Sequence, residues 1–210
     1  MLHALLIGSL VLGASCAVCL SLNLWLLPRL SREGRAAAAA RGDSWRRVSI
    51  VIPARNEERD VEAAVRGHLS QDHPDFEVIV VDDRSTDRTG EILRRLASED
   101  PRLRVIAGKE PPPGWLGKPH ALHLGAQAAT GELLLFVDAD VRWAPGALRA
   151  AIAFFEREAA DFLVVFPHLE SRGFWENVLM PNLPCTLYFG PAFLMNIDRV
   201  PSFAAGGGAG

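Results

Sequence analysis

From Val48 onward the chain alternates short apolar runs with longer amphipathic segments, and this rhythm restricts its fold more than any other feature. The runs VSIVIPA (48–54), FEVIVVDD (76–83), RLRVIAG (102–108), ELLLFVDAD (132–140) and DFLVVFP (161–167) predict strands. Between the first two, residues 57–71 space Val61, Val65 and Leu69 at helical intervals, with Asn56 placed as an N-cap and acids in the first turn. Segments 87–100, 118–129 and 145–160 predict further helices; Ile92, Leu93 and Leu96 share one face of the first of these. Apolar strands separated by helices predict an α/β domain whose mainly parallel sheet carries helices on both faces. Ligands of such sheets bind beyond the C-terminal strand ends, near the switch in strand order. Polar residues gather there: Arg55-Asn56-Glu57, Asp82-Asp83 and Asp138-Ala139-Asp140.

Composition excludes some functions. With a formal net charge of −3 over 210 residues, the chain has no basic footprint for nucleic acid. Cys16 and Cys19 have redox-pair spacing, but no second ligand pair follows, and both lie in an apolar stretch where cysteine is an ordinary small residue. That stretch, Ala4 to Leu27, carries no charge; as a helix rising about 1.5 Å per residue it would exceed a bilayer core of about 30 Å. Arg29, Arg32, Arg35, Arg41, Arg46 and Arg47 follow it, which by the positive-inside rule leaves the rest of the chain in the cytoplasm. The expectation is a single-pass signal anchor over 1–28 in the inner or plasma membrane, with Trp25 at its interface and a basic juxtamembrane linker over 29–47. The alanine run within that linker is compatible with a helix.

Three stretches carry chemistry. Asp138 and Asp140 would share one face of an extended strand, and two like charges that close call for a cation. Mg²⁺ or Mn²⁺, shared with substrate phosphates, suits hard carboxylate ligands; solvated turn aspartates are the plainer reading. Asp82 and Asp83 close the second strand, while Ser85, Thr86 and Asp87 stand where the next helix needs a cap. In PPPGWLGKPHAL, Gly114 and Gly117 allow close backbone approach, Pro119 suits a first helical position, and Lys118 beside a helix N-terminus can hold a diphosphate. His120 and His123 lack a third ligand, so packing or surface roles fit them better than metal binding.

Taken together, VSIVIPARNEE, VIVVDDRSTDRT, GWLGKPHAL and LLFVDAD, in this order and spacing, resemble the family 2 glycosyltransferases of GT-A fold. GWLGK with the apolar N-terminus is most similar to the membrane-bound branch acting on carotenoid or hopanoid-type lipids. The resemblance implies a nucleotide-sugar-binding domain over 48–167, an inverting transfer, and a nucleotide-sugar donor, UDP-sugar first, with a lipid-type acceptor. It implies that Pro53, Ala54, Arg55 and Glu57 line the nucleotide pocket, with Glu57 near the ribose. Asp83 would bond a uracil-like base, and Lys118 would lie near base or phosphate. Asp138 would touch ribose or metal, and Asp140 would coordinate the metal bridging the diphosphate.

Beyond the D-x-D strand, the family's acidic E-D pair and Q-x-x-R-W motif do not appear. Residues 168–210 are expected to be a partial acceptor-side or membrane-interface segment of a truncated chain. Its carboxylates before Asp198 are Glu170 and Glu176, and no motif marks either as the acceptor base, so the catalytic residue stays unassigned. A non-catalytic nucleotide-sugar-binding module is the alternative function, and a nucleotidyltransferase a third. The missing glycine-rich fingerprint argues against a dinucleotide enzyme.

Overall fold

The computed structural model describes residues 44–165 without a break, together with residues 30–40, residue 42, and scattered positions between 7 and 21 and at 173–174. The described positions between 7 and 21 are helical, but most of the expected anchor lies outside the described residues, as does nearly all of 168–210. Among the described residues no helix is long and apolar enough to cross a membrane. Leu30 to Asp161 form one compact unit. Its elements run α1 (Leu30–Ala40), β1 (Val48–Ala54), α2 (Val61–Leu69), β2 (Phe76–Asp82), α3 (Thr89–Glu99), β3 (Leu103–Ala107), α4 (Gly117–Ala128), β4 (Leu133–Phe136) and α5 (Ala147–Arg157).

The four strands are parallel in the order β3-β2-β1-β4. Alternation along the strands divides their side chains between two faces. Val48, Ile50 and Ile52 of β1, with Val78 and Val80 of β2, join Val61 and Val65 of α2, Leu93 and Leu96 of α3, and Leu148 and Ile152 of α5 in one buried cluster. The opposite face receives α4, where Gly125 sits so close to Val51 and Val81 that a side chain would overlap Val51 Cγ1. On β4, Leu134 and Phe136 remain about half exposed.

The segment after the apolar N-terminus is a helix, α1, and it packs on α5. Gly34 makes this approach possible, because an added Cβ would lie 2.5 Å from the Ala150 carbonyl oxygen. Helix propensity favours alanine over glycine by about 1 kcal/mol, whereas overpacking costs about 1–3 kcal/mol. A backbone carbonyl cannot rotate aside, so the clash should win. Gly34→Ala is expected to lower the unfolding free energy by about 1 kcal/mol; a rise in denaturant midpoint would show that α1 is free to shift.

Two expectations need correction. Residues 161–165 form no strand: a strand needs a neighbour to complete its ladder, and here Phe162, Val164 and Val165 are largely exposed. Residues 166 and 167 lie outside the described residues. Asn56 is not the cap of α2, which begins after Asp60; it adopts a left-handed conformation (φ 57°), and its side chain accepts from the Thr86 N–H at 2.9 Å. Asparagine tolerates that conformation because its short amide can bond locally. Here the amide ties the β1 loop to the β2 loop.

His68 of α2 is fully buried, and burial pushes its pKa down to about 4. Between pH 6.5 and 4 the unfolded chain therefore takes up a proton that the folded chain refuses. Stability falls with falling pH across that window, by about 1.4 kcal/mol per unit and about 3 kcal/mol in all. Urea unfolding of wild type and His68→Leu at pH 7 and pH 4.5 checks this: the variant should lose less stability on acidification, and parallel losses would refute the assignment.

Candidate active site

Winding runs from β1 outward to β2 and β3, then returns through α4 to β4 on the other side of β1. The order thus reverses between β1 and β4, and sheets of this kind usually bind ligands in the crevice beyond the carboxyl ends of the two strands at such a reversal. Pro53 marks where these strands part. The last β1 residue paired with β4 is Val51, and Val137 adds one further bond to the Val51 carbonyl. Pro53, two residues on, therefore lacks its N–H where the ladder has already parted. Ala54 is buried beneath the site, and its carbonyl accepts from the Asp83 N–H at 2.8 Å.

The two aspartates ending β2 have separate duties. Asp82 is structural: its Oδ1 accepts from the Ser85 N–H at 3.1 Å, and its Oδ2 occupies the space a side chain on Gly90 would need. Asp83 is 5% exposed and faces two guanidinium groups, Arg84 Nε at 3.0 Å and Arg55 Nη1 at 3.8 Å. Gly117, at the start of α4, stands against the same carboxylate; a Cβ there would lie 2.7 Å from Asp83 Oδ2. Arg84 went unnoticed in the sequence, although a basic residue directly after an Asp-Asp pair was a usable signal. It holds a left-handed conformation (φ 58°) and also pairs with Glu110. Strained non-glycine residues of this kind concentrate at functional sites.

Lys118 is in the first turn of α4, where the helix dipole opposes a cation. Asp138 resolves the conflict with an ion pair, Nζ to Oδ1 at 2.9 Å, both side chains being about half exposed. Pro119 falls in the same turn, where a missing N–H costs no helical bond. The N-cap, Leu116, offers no side-chain acceptor to the first-turn amides. His120 and His123 do not converge on a ligand; both rings pack against Trp115, at 5.7 and 5.1 Å between centroids.

Strand β4 stops at Phe136, so the extension assumed for the D-x-D pair does not persist; the Val141 N–H closes a turn on the Asp138 carbonyl. Val137 and Ala139 are nonetheless buried while Asp138 and Asp140 are exposed. Glu57 has its carboxyl pKa raised, first by burial and then by the negative charge of Asp140, Asp60, Asp87 and Asp138. Among the described residues, no three histidine, cysteine, aspartate or glutamate side chains form a ready-made cage for a metal. The donor set nevertheless suits Mg²⁺, which binds through one or two carboxylates plus substrate phosphates.

A model of the glycosyl transferase family 2 domain matches residues 49–206. The chain belongs to glycosyl transferase family 2. This family 2 chain is 37% identical over 100 residues to the 4,4'-diaponeurosporenoate glycosyltransferase of Staphylococcus haemolyticus, covering 48% of its own length and 26% of that protein. It is 30% identical over 146 residues to the beta-monoglucosyldiacylglycerol synthase of Nostoc sp., covering 68% and 31%. Among solved structures, S. aureus TarS 1-349 in complex with UDP-GlcNAc matches with a TM-score of 0.50 at 32% identity, over 60% of this chain and 36% of that one. The GT-A-like sheet is thus shared, and the chain spans under a third of the two curated relatives named.

Proposed function

We propose that this chain forms the donor side of a metal-dependent glycosyltransferase, binding a nucleoside-diphosphate sugar for transfer to a lipid-type acceptor. One observation carries the reading: Asp83, Arg55, Glu57, Lys118, Asp138 and Asp140 come from four separate segments to the crevice at the strand-order switch. Asp83, buried and paired with Arg84 and Arg55, is suited to accept from the N–H of a base such as uracil. Lys118 and the uncapped first turn of α4 offer positive charge and N–H donors to a diphosphate. Asp138 and Asp140 would hold the metal, which when bound neutralises charge on the departing nucleoside diphosphate. The bound ligand of TarS, UDP-GlcNAc, supports a nucleotide-sugar donor, and UDP-sugar is our first assignment.

The lipid-type acceptor is supported by the relatives named for diaponeurosporenoate and monoglucosyldiacylglycerol, and by exposed Trp115 and Leu116 beside Lys118. The uncharged stretch 4–27 and the arginines after it support a single-pass anchor in the inner or plasma membrane with this site in the cytoplasm. Calorimetric titration of the full chain with UDP-GlcNAc, UDP-glucose and GDP-mannose, with and without Mn²⁺ or Mg²⁺, tests the donor site. Binding that requires the metal is expected, and no binding of any nucleotide sugar would overturn the proposal. Incubation with lipid extracts then separates transfer from the second reading, a module that binds donor without turnover.

A further inference from the structure

The loop leaving Asp140 is tied along the whole of α2. At the start of the helix, Arg142 pairs with Asp60 at 3.1 Å. In its last turn, Trp143 meets the His68 ring edge-to-face, with centroids 5.1 Å apart and planes at 86°. Just beyond it, Gln71 uses both ends of its amide. The Nε2 donates to the Ala144 carbonyl at 3.2 Å and to the Gly67 carbonyl at 3.2 Å, while Oε1 accepts from the Leu148 N–H at 3.1 Å.

These contacts do more than fill space. His68 is 0% exposed, and neither ring nitrogen has a hydrogen-bond partner among the described residues. Gln71 is 4% exposed. Apolar side chains would fill both positions without desolvating polar groups. The amide instead fixes one register of the loop against the helix, and Trp143 packs its ring on the imidazole in that register. Helix α2 also begins at the opposite wall of the crevice, since the Glu57 carbonyl accepts from the Val61 N–H at 2.9 Å and the Asp60 N–H at 3.1 Å. One helix thus carries the Arg55–Glu57 wall and holds the loop that follows the aspartates.

We infer that Trp143 and Gln71 are positioning residues: they set where Asp138 and Asp140 stand relative to Glu57, and so the affinity for a nucleoside diphosphate with its metal. The inference rests on the donor-site reading above. Supporting partners of metal ligands are worth about 10–100-fold in affinity. Trp143→Ala should weaken binding of UDP with Mn²⁺ by that factor and broaden the electron paramagnetic resonance signal of the bound ion. Trp143→Phe, which keeps a ring against His68, should recover most of the loss. Gln71→Met preserves volume but removes the amide, and it should lose affinity as well; it decides the matter if Trp143→Ala does not fold. Glu77→Gln, at the far end of the sheet, is the control that lowers thermal stability while binding as wild type. Wild-type affinity in folded Gln71→Met and Trp143→Ala, or an equal loss in the control, would overturn the inference. Absence of UDP binding by wild type would fell the donor reading itself, and this inference with it.

Discussion

Asp140→Asn is expected to weaken Mn²⁺-dependent binding of a UDP-sugar by at least about 100-fold, since even supporting partners of metal ligands are worth about 10–100-fold. Stability should move the other way. After burial itself, Asp140 is the largest source of the negative field that raises the Glu57 carboxyl, so removing its charge relieves repulsion in the folded state. A donor affinity that collapses while the melting temperature holds or rises identifies a ligand-binding group. Equal falls in both would mark Asp140 as a structural residue and sink the assignment.

Lys118→Met probes the same crevice from its cationic side. Lys118 neutralises Asp138 through the 2.9 Å pair, so it competes with an incoming cation and assists an incoming anion. The variant should bind Mn²⁺ alone more tightly than wild type, yet bind UDP less tightly. Changes of the same sign for both probes would refute this role.

The largest expected loss of stability is at Glu77. Burial by itself would raise this carboxyl, but hydrogen bonds from the Thr130 hydroxyl, the Ser49 hydroxyl and the Thr130 N–H, with Arg104, hold it down to about 2. Its Oε1 accepts three of these contacts at 2.7 Å each, and Ser49 in turn accepts from the Gly131 N–H at 2.8 Å. The residue therefore joins β2 to β1 and to the entry of β4. A carboxyl lowered from an ordinary value near 4.5 contributes about 3 kcal/mol at most, with the half-exposed Arg104 arm discounted for solvent screening. Because the folded pKa is the lower one, the contribution is full above pH 4.5 and is lost as pH falls toward 2. Glu77→Ala should lower the melting temperature at pH 7 by about 6–12 °C and remove that acid dependence. A melting temperature within a degree of wild type would contradict it.

The elements of the sheet are legible as short apolar runs between amphipathic segments: β1, buried along nearly all its length, keeps its bounds at Val48 and Ala54, although β4 is half exposed at Leu134 and Phe136. The fifth strand is not: DFLVVFP has the composition of a strand, but composition does not supply a neighbouring edge. Asn56 was misassigned for a related reason. Its side chain can cap a helix or serve a left-handed turn, and the loop from β2, thirty residues away, decided between them. Of the candidate residues, Asp83, Asp138 and Asp140 stand out in the sequence as charges at strand ends, and Lys118 as a cation at a helix start where the dipole disfavours it. Trp143 and Gln71 do not, since nothing local distinguishes a loop tryptophan or a buried amide from ordinary surface and core, whereas Arg84 is signalled by its place directly after the Asp-Asp pair.

Sequence alone determined the class of fold, and it marked the end of the sheet where polar residues gather, with the carboxylates and lysine proposed to furnish the site. These follow from period and burial, which are local properties of the chain. The tertiary structure decided the rest: it placed β4 beside β1, divided Asp82 from Asp83, paired Lys118 with Asp138, and bound the aspartate loop to α2. Each of these depends on contacts between segments far apart in the chain, and side-chain period carries no information about which distant segment will supply the partner.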